Sequence, residues 1–187
     1  MRLTPIEKPP SLLGKLLDAA IRGALGRSIT PSQVVYNRVP AAWRISLAFQ
    51  LFERFGAKLP EELRLLATTR VAQLNGCAFC QDIKRAAAIR GRLGIEKFNA
   101  LADWRTSRAF NPRERAALAF VEEATREKRV GDATYAEARA HFDEREIAEL
   151  VLLNCIENFY NGMNLALGIE ASDGLEEIAR GAVAARG

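Results

Sequence analysis

Residues 61–91 read EELRLLATTRVAQLNGCAFCQDIKRAAAIRG, and their pattern predicts two consecutive helices. Apolar side chains recur at helical spacing before and after Asn75 and Gly76, a pair of residues that typically interrupts a helix. We therefore predict one helix over residues 61–75 and a second over residues 77–90. The break between them places a pair of cysteines at the start of the second helix.

The rest of the chain shows the same helical pattern, with start signals such as Asp143 followed three residues later by Glu146. Further helices are predicted at residues 11–26, 30–36, 40–56, 95–104, 112–128, 132–142 and 145–167, and after residue 174. No stretch has the two-residue alternation of a half-buried strand, so the predicted fold class is all-α. We predict an N-terminal helical extension at residues 1–28 and a helical domain at residues 29–187.

Composition and charge exclude several classes of function. The chain has 187 residues, with 27 basic and 23 acidic side chains interspersed and a net charge of +4. It contains no block of like charges and no alternation of aromatic and basic residues, so we expect no binding to nucleic acid. The first ten residues lack the apolar core of a signal peptide, and apolar runs such as residues 147–153 are too short to span a bilayer. We therefore expect a cytoplasmic protein without a membrane partner.

The cysteine pair is the strongest chemical signal in the sequence. Cys77 and Cys80 lie three residues apart at a predicted helix start, so their sulfurs share one face of the helix. The positive end of the helix dipole stabilises a thiolate, and a second thiol nearby can close a disulfide. This spacing suits a dithiol/disulfide cycle. Two alternatives remain open, namely buried structural cysteines and a metal site.

The metal alternative is the weaker of the two. A closed zinc site needs four ligands, but the chain has only three cysteines and a single histidine, His141, far from the pair in sequence. We therefore predict that the protein uses no metal and no other cofactor.

Three ordered blocks resemble the alkylhydroperoxidase D-like proteins of the carboxymuconolactone decarboxylase family. They are residues 63–80 (LRLLATTRVAQLNGCAFC), residues 104–120 (WRTSRAFNPRERAALAF), and residues 147–156 with the following 161–164 (NGMN). The resemblance covers about residues 30–170. It implies an alkylhydroperoxidase D-like helical bundle that forms a homo-oligomer, with a trimer, a hexamer or a dimer expected. It also implies reduction of a peroxide or disulfide with electrons from an external dithiol.

The resemblance assigns roles to individual residues. Cys80 corresponds to the attacking thiol and Cys77 to the resolving thiol, although the helix dipole alone would favour Cys77 as the nucleophile. In redox members a glutamate and a histidine form a proton relay, and the matching positions here hold Leu65 and Lys84. Leu65 cannot carry a proton. Lys84 lies one turn beyond Cys80, where its ammonium can stabilise a thiolate; the alternative is a solvated surface lysine.

Several other residues are candidates for supporting roles. Four carboxylates could replace the missing one: Glu61, Glu62, Glu149 and Glu157. Glu149 and Glu157 lie on an otherwise apolar helix, where a buried acid needs a partner, and we expect a salt bridge with an arginine. We predict that Cys155, Trp43 and Trp104 are packing residues and that His141 is a partly exposed residue at a helix end. We expect Phe79 to shield the thiols from water or to line an apolar pocket, and Arg70 and Asn75 to hold the turn before the cysteines.

These patterns together favour an enzyme. We predict a thiol-dependent peroxidase or disulfide oxidoreductase, of weak or specialised activity because the relay is missing. The alternative is a helical oligomer that binds a small apolar ligand and has lost turnover. The retained Cys77 and Cys80 favour the first hypothesis, whereas Leu65 and Lys84 at the relay positions favour the second. The decarboxylase branch lacks the cysteine pair, so lactone decarboxylation is not expected.

Overall fold

A computed structural model describes residues 1–169 and 171–185, and within these ranges the regular structure is entirely helical. The α-helices are α1 (Leu12–Leu25), α2 (Ala42–Leu51), α3 (Glu61–Asn75), α4 (Ala78–Arg90), α5 (Ile95–Asn99), α6 (Pro112–Glu127), α7 (Asp132–His141), α8 (Glu144–Ala166) and α9 (Leu175–Ala184). π-helical turns occupy Ser32–Tyr36 and Phe52–Gly56, and a 3₁₀ turn occupies Leu101–Asp103. The all-α prediction is confirmed.

Helix ends follow the capping signals in the sequence. Asp143 accepts a hydrogen bond from the backbone N–H of Glu146, whose carboxylate accepts one from the Asp143 N–H, which completes a capping box. Two predicted helices are broken in the structure. The predicted helix over 40–56 ends as a π-helical turn, and the one over 95–104 divides into α5 and the 3₁₀ turn.

Helix α3 forms the centre of the molecule and packs against α4, α6 and α8. Its apolar side chains Leu66 and Val71 are fully buried, as are Leu118 of α6 and Leu150 of α8. Each such side chain stabilises the fold by about 1.5–3 kcal/mol relative to an exposed position. The start of α4, which carries the cysteines, therefore follows directly on the central, buried helix of the bundle.

Helix α9 fixes the other side of α4. The buried carboxylate of Asp82 on α4 accepts hydrogen bonds from the backbone N–H groups of Leu175 at 2.9 Å and Glu176 at 2.8 Å, the first residues of α9. Arg85, one turn further along α4, donates to the Glu176 carboxylate at 2.6 Å. Because a carboxylate at a helix N-terminus also interacts favourably with the dipole, these contacts hold α4 in one position.

Helix α1 lies against α9 and forms one wall of the cavity described below. Its start is capped by Ser11, and it ends at Gly26, which adopts φ +84. The division of the chain at residue 28 stays a prediction. No helix in the described ranges has both the length and the apolar character needed to cross a bilayer.

Candidate active site

The turn between α3 and α4 positions the cysteine pair. Gly76 adopts φ +73, its N–H donates to the Gln73 carbonyl, and the Cys77 N–H donates to the Ala72 carbonyl at 2.9 Å. These two bonds form a Schellman motif, which needs a left-handed residue and therefore favours glycine. The motif ends α3, and Cys77, which follows directly, is the N-cap residue of α4.

Cys77 and Cys80 form a disulfide in the structure, with their Cα atoms 5.3 Å apart. The Cys77 sulfur, at the N-cap, accepts a hydrogen bond from the backbone N–H of Cys80 at 3.3 Å. The side-chain amide of Asn164, on α8, lies 3.4 Å from the Cys80 sulfur and 3.9 Å from the Cys77 sulfur. Amide and backbone donors around both sulfurs stabilise a thiolate once the disulfide is reduced.

The two sulfurs differ in what they face. Cys80 lines a cavity of about 710 Å³, whereas Cys77 is fully buried and does not line it. A substrate in the cavity therefore meets Cys80 first. The roles of attacking and resolving thiol stay predictions.

The cavity surface is mostly apolar. Helix α1 contributes aliphatic groups, among them Leu17 and Ile21, and the Phe79 ring lies beside the cysteine pair. Tyr36 and Trp43 stack with ring centroids 4.4 Å apart and line another part of the wall. Burial raises the pKa of Tyr36 to about 12, so its hydroxyl stays protonated at neutral pH. This cavity suits a ligand with an apolar body.

Lys84 lies in the cavity wall, in an acidic cluster. Its side chain is only 13% exposed, and its Nζ lies 3.4 Å from Glu157 Oε2 and 3.9 Å from Glu53 Oε2. Burial lowers the pKa of Lys84, but attraction to Glu157 and Glu53 outweighs it, so the net pKa is raised and the amine stays charged. The alternative reading of Lys84 as a solvated surface lysine is wrong.

Of Lys84 and Glu157, the glutamate has the less usual environment. Its Oε1 accepts a hydrogen bond from Asn161 at 2.7 Å, while Oε2 accepts none from the described part of the chain. Burial raises the pKa of Glu157, and the ion pair with Lys84 offsets this only in part. Asn161 accepts in turn from Asn75, at the end of α3, at 2.8 Å. The carboxylate is thus held in place through a chain of amides.

The relay positions of the redox members are filled differently here. Leu65 is buried and lines the cavity, so it contributes an apolar surface where a proton carrier is expected. Glu157, from α8, supplies a carboxylate to the same cavity, and it contacts Lys84. The predicted partner of Glu157, an arginine, is wrong: the partner is this lysine.

The other three carboxylate candidates, Glu61, Glu62 and Glu149, differ in their surroundings. Glu149 accepts backbone N–H groups of Lys58 and Leu59 and an ion pair from Arg145, as predicted for a buried acid with an arginine partner. Glu62 pairs with Lys97 at 3.1 Å, away from the cavity. Glu61 lines the cavity.

The remaining predicted residues divide into confirmed and corrected ones. Trp43 and Trp104 are buried, and His141 ends α7 beside Glu137, as predicted. The prediction of Cys155 as a core residue is wrong: it is an exposed free thiol. Helix α8 is apolar on two faces, and Cys155 lies on the outward one. Asn75 ties the turn to α8, whereas Arg70 binds Glu122 on α6 at 2.8 Å.

Sequence reasoning missed several residues of the site. Glu53 and Tyr36 come from π-helical turns, which leave no recognisable periodicity. Asn161 and Asn164 were detectable, because with Glu157 they repeat at spacings of four and three on an apolar helix and so share one face. Polar groups on a buried helix face need partners, which is the signal that identifies them.

Comparisons with known proteins find relatives of similar sequence and fold. The uncharacterized protein YnjA of Escherichia coli (strain K12) is 31% identical over 173 residues, which cover 91% of this chain and 94% of YnjA. A crystal structure from Agrobacterium tumefaciens, described as a putative antioxidant defence protein AhpD, is 25% identical with a TM-score of 0.67, over 72% of this chain and 93% of that one.

A second solved structure is similar in fold only. The debrominase Bmp8 in its apo form has a TM-score of 0.80 at 20% identity, over 95% of each chain. The family model described as the carboxymuconolactone decarboxylase family matches residues 38–123, which include the cysteine pair, Leu65 and Lys84. With the whole-length similarity to YnjA and the alkylhydroperoxidase-like helical fold, this match shows that the chain belongs to the carboxymuconolactone decarboxylase family.

Proposed function

We propose that the protein is a thiol-dependent peroxidase, in which Cys80 attacks an organic hydroperoxide and Cys77 resolves the product as a disulfide. One observation carries the proposal: the cysteine that lines the apolar cavity belongs to a pair that closes a disulfide. The family and the cysteine pair also fit an antioxidant role.

The cycle balances in atoms and electrons. The Cys80 thiolate attacks the terminal oxygen of a hydroperoxide, the O–O bond breaks, and Cys80 becomes a sulfenic acid while the alkoxide takes up a proton to leave as an alcohol. The Cys77 thiol then attacks the Cys80 sulfur, which forms the disulfide and releases water. An external dithiol reduces the disulfide by two exchange steps and is itself oxidised. The peroxide gains the two electrons that the dithiol loses.

Lys84 fits the first step of this cycle. Its ammonium lies one helical turn after Cys80 on the same face, and it is largely removed from solvent. A positive charge in a weakly solvated site stabilises a nearby thiolate more strongly than it would in water. In this proposal Lys84 lowers the thiol pKa of Cys80, which raises the fraction of thiolate at neutral pH.

The cavity favours an organic hydroperoxide over hydrogen peroxide. About 710 Å³ of mostly apolar space is far more than hydrogen peroxide requires and lies within the range of small-molecule binding sites. The same observation favours the second candidate function, a binding protein for a small apolar ligand without turnover. The two candidates differ in whether a bound molecule oxidises Cys80.

The reduced protein distinguishes the two candidates. One equivalent of cumene hydroperoxide should remove two of the three thiols and close the Cys77–Cys80 disulfide, identified by peptide mapping. With dithiothreitol present, the hydroperoxide should be consumed catalytically. Cys80→Ser should abolish consumption, and Cys77→Ser should stop at a sulfenic acid that dimedone traps.

Cys155→Ser is the matched control, because Cys155 is exposed on another helix and should be dispensable for the cycle. If all three thiols survive the hydroperoxide while the protein still binds an apolar probe, the peroxidase proposal fails and the ligand-binding candidate takes its place. Loss of activity in Cys155→Ser would also contradict the assignment of the cysteines.

Assembly into a homo-oligomer is part of the same proposal. Val151, Leu152 and Phe159, on the outward face of α8, are large apolar side chains that are exposed in the single chain. A row of such side chains is typical of a surface that another protein covers. Light scattering after size exclusion should give an oligomer for the natural chain and a smaller species for Leu152→Glu. A monomeric natural chain would contradict it.

A further inference from the structure

Glu157 is a buried acid with an incomplete set of partners. Only 1% of the residue is exposed, yet its Oε2 accepts no hydrogen bond within the described part of the chain and has the Lys84 ammonium, 3.4 Å away, as its charged neighbour. The residue lines the same cavity as Cys80. A structural carboxylate in the core is normally saturated with donors, so an unsaturated one beside a cavity calls for an explanation.

The charges around Glu157 are unbalanced. Three side chains from three elements form the cluster: Lys84 from α4, Glu53 from the Phe52–Gly56 turn, and Glu157 from α8. Tyr160 lies nearby on α8, but burial raises its pKa and it stays neutral. Two carboxylates therefore share one ammonium. A cluster of this composition retains a proton more readily than an isolated carboxylate does.

Of the two acids, Glu157 has the environment that favours the protonated form more strongly. Glu53 is more exposed, with 21% of its side chain in contact with solvent, whereas the Glu157 side chain is 1% exposed. Burial disfavours the charged form, and the pKa of Glu157 is raised accordingly. Lys84 contacts Glu157 and follows Cys80 by one helical turn, and all three residues line the cavity.

We propose that Glu157 supplies the proton which the alkoxide takes up when Cys80 cleaves the O–O bond of a hydroperoxide. This inference rests on the proposed peroxidase function and names the proton donor of its first step. The transfer runs from the Glu157 carboxyl to the leaving oxygen, directly or across one water molecule in the cavity. Lys84 stabilises the resulting carboxylate.

The proton balance closes over one cycle. The first step converts the Cys80 thiolate, the hydroperoxide and the Glu157 carboxylic acid into a sulfenic acid, an alcohol and a carboxylate. Disulfide formation by Cys77 then releases water without a net change in protons. When a dithiol reduces the disulfide and Cys80 returns as a thiolate, one proton is released, and Glu157 takes it up.

Leaving groups of different basicity test this role. Glu157→Gln keeps the size of the side chain and the acceptor for Asn161 but removes the transferable proton. The reduced variant should react about 100-fold more slowly with cumene hydroperoxide, the low end for loss of a general acid. Perbenzoic acid releases a weakly basic carboxylate that needs no proton, so its rate should change by no more than about twofold. Alkylation by iodoacetamide should be equally unaffected.

Two further variants complete the experiment. Glu144→Gln makes the same chemical change on the same helix, at a side chain that is 87% exposed, and should leave all three rates unchanged. Glu157→Asp retains an acid and should recover part of the rate with cumene hydroperoxide. Unaltered alkylation in each variant shows that the site is intact.

Three results would overturn the inference or its basis. An equal loss of rate with all three reagents in Glu157→Gln would mean that the residue only shapes the site, and no loss with any reagent would mean that it plays no part. Either result leaves the peroxidase proposal standing. If the natural protein itself reacts with iodoacetamide but not with either peroxide, the proposed function fails, and the role of Glu157 fails with it.

Discussion

Two buried glutamates in this molecule, each close to a cation, differ in how their carboxyl groups are surrounded. Glu122 on α6 accepts hydrogen bonds from Arg70, from Arg105 and from the Trp104 indole, and Arg126 lies 3.4 Å away. Glu157 on α8 has one lysine and one amide. The first carboxylate is saturated with donors inside the bundle, whereas the second faces a cavity.

The surroundings shift the pKa values of Glu122 and Glu157 in opposite directions. Burial alone would raise the pKa of Glu122, but the hydrogen bonds from Trp104 and Arg70 outweigh it, so the net pKa is lowered. At Glu157 burial prevails over Lys84 and the pKa is raised. Glu122 is therefore suited to joining α3 to α6, and Glu157 is suited to holding a proton.

The largest expected difference is in stability. Glu122→Gln removes the charge that several cations share and leaves Arg70 buried without its partner, so we expect a loss of about 3–5 kcal/mol in the free energy of unfolding. If Glu157 holds a proton as proposed, Glu157→Gln exchanges two neutral side chains of the same shape and should cost less than about 1 kcal/mol. Urea denaturation of both variants measures the difference. Equal losses would show that Glu157 is a structural ion pair like Glu122.

The pH dependence of stability should have opposite signs at the two sites. The pKa of Glu122 is lowered below its ordinary value of 4.5, so its contribution is present above about pH 4.5 and is lost as the pH falls through the folded-state pKa. The pKa of Glu157 is raised, so the folded state keeps a proton that the unfolded state releases, and stability decreases as the pH rises from 4.5 toward the folded-state value.

Urea denaturation of the natural protein and each Gln variant between pH 3 and pH 7 tests these signs. The advantage of the natural protein over Glu122→Gln should grow as the pH rises toward about 4.5 and then stay constant. Its free energy of unfolding relative to Glu157→Gln should instead fall, by about 1.4 kcal/mol for each pH unit below the folded-state pKa of Glu157. Slopes of the same sign for both residues would contradict the assignment of a retained proton to Glu157.

The sequence alone predicts where the two thiols lie, but it does not predict which charged side chains surround them. Gly76 and the CxxC spacing predict a helix start with two thiols, because a left-handed residue and an N-cap are local features. The contact between Lys84 and Glu157 joins α4 to α8, and only the packing of the bundle brings them together. The exposure of Cys155 was missed for the same reason: an apolar helix with two apolar faces does not reveal which one is buried.

Removing the cation from the cavity cluster should change the reactivity of the thiol. Lys84→Met takes away the positive charge nearest to Cys80 along α4, so the thiol pKa of Cys80 should rise by about one unit. The rate of alkylation by iodoacetamide at pH 7 should then fall about tenfold, and its dependence on pH gives the change in the thiol pKa directly.

Lys97→Met is the matched control for this change. Lys97 is also a half-buried lysine shared by two carboxylates, Glu62 at 3.1 Å and Glu114 at 2.6 Å, but it does not line the cavity. Its loss should leave the alkylation rate of Cys80 unchanged. If both variants lower the rate equally, the effect comes from general loosening of the bundle and the electrostatic role of Lys84 is wrong.

The smallest effect on stability should come from Arg105, an exposed donor to the Glu122 carboxylate. Arg105 donates to Glu122 at 3.0 Å, but its side chain is 59% exposed and lies over the Trp104 ring, so solvent screens the interaction. Arg105→Ala should cost only about 0.2–1 kcal/mol by urea denaturation, since Arg70 and Trp104 still bind the carboxylate. A loss of stability as large as that of Glu122→Gln would mean that Arg70 and Trp104 cannot hold the carboxylate without Arg105. Lys84 is the nearest cation to Glu157, so by the same reasoning other donors do not compensate for its loss. In our proposal, this small number of donors is what keeps a transferable proton on Glu157.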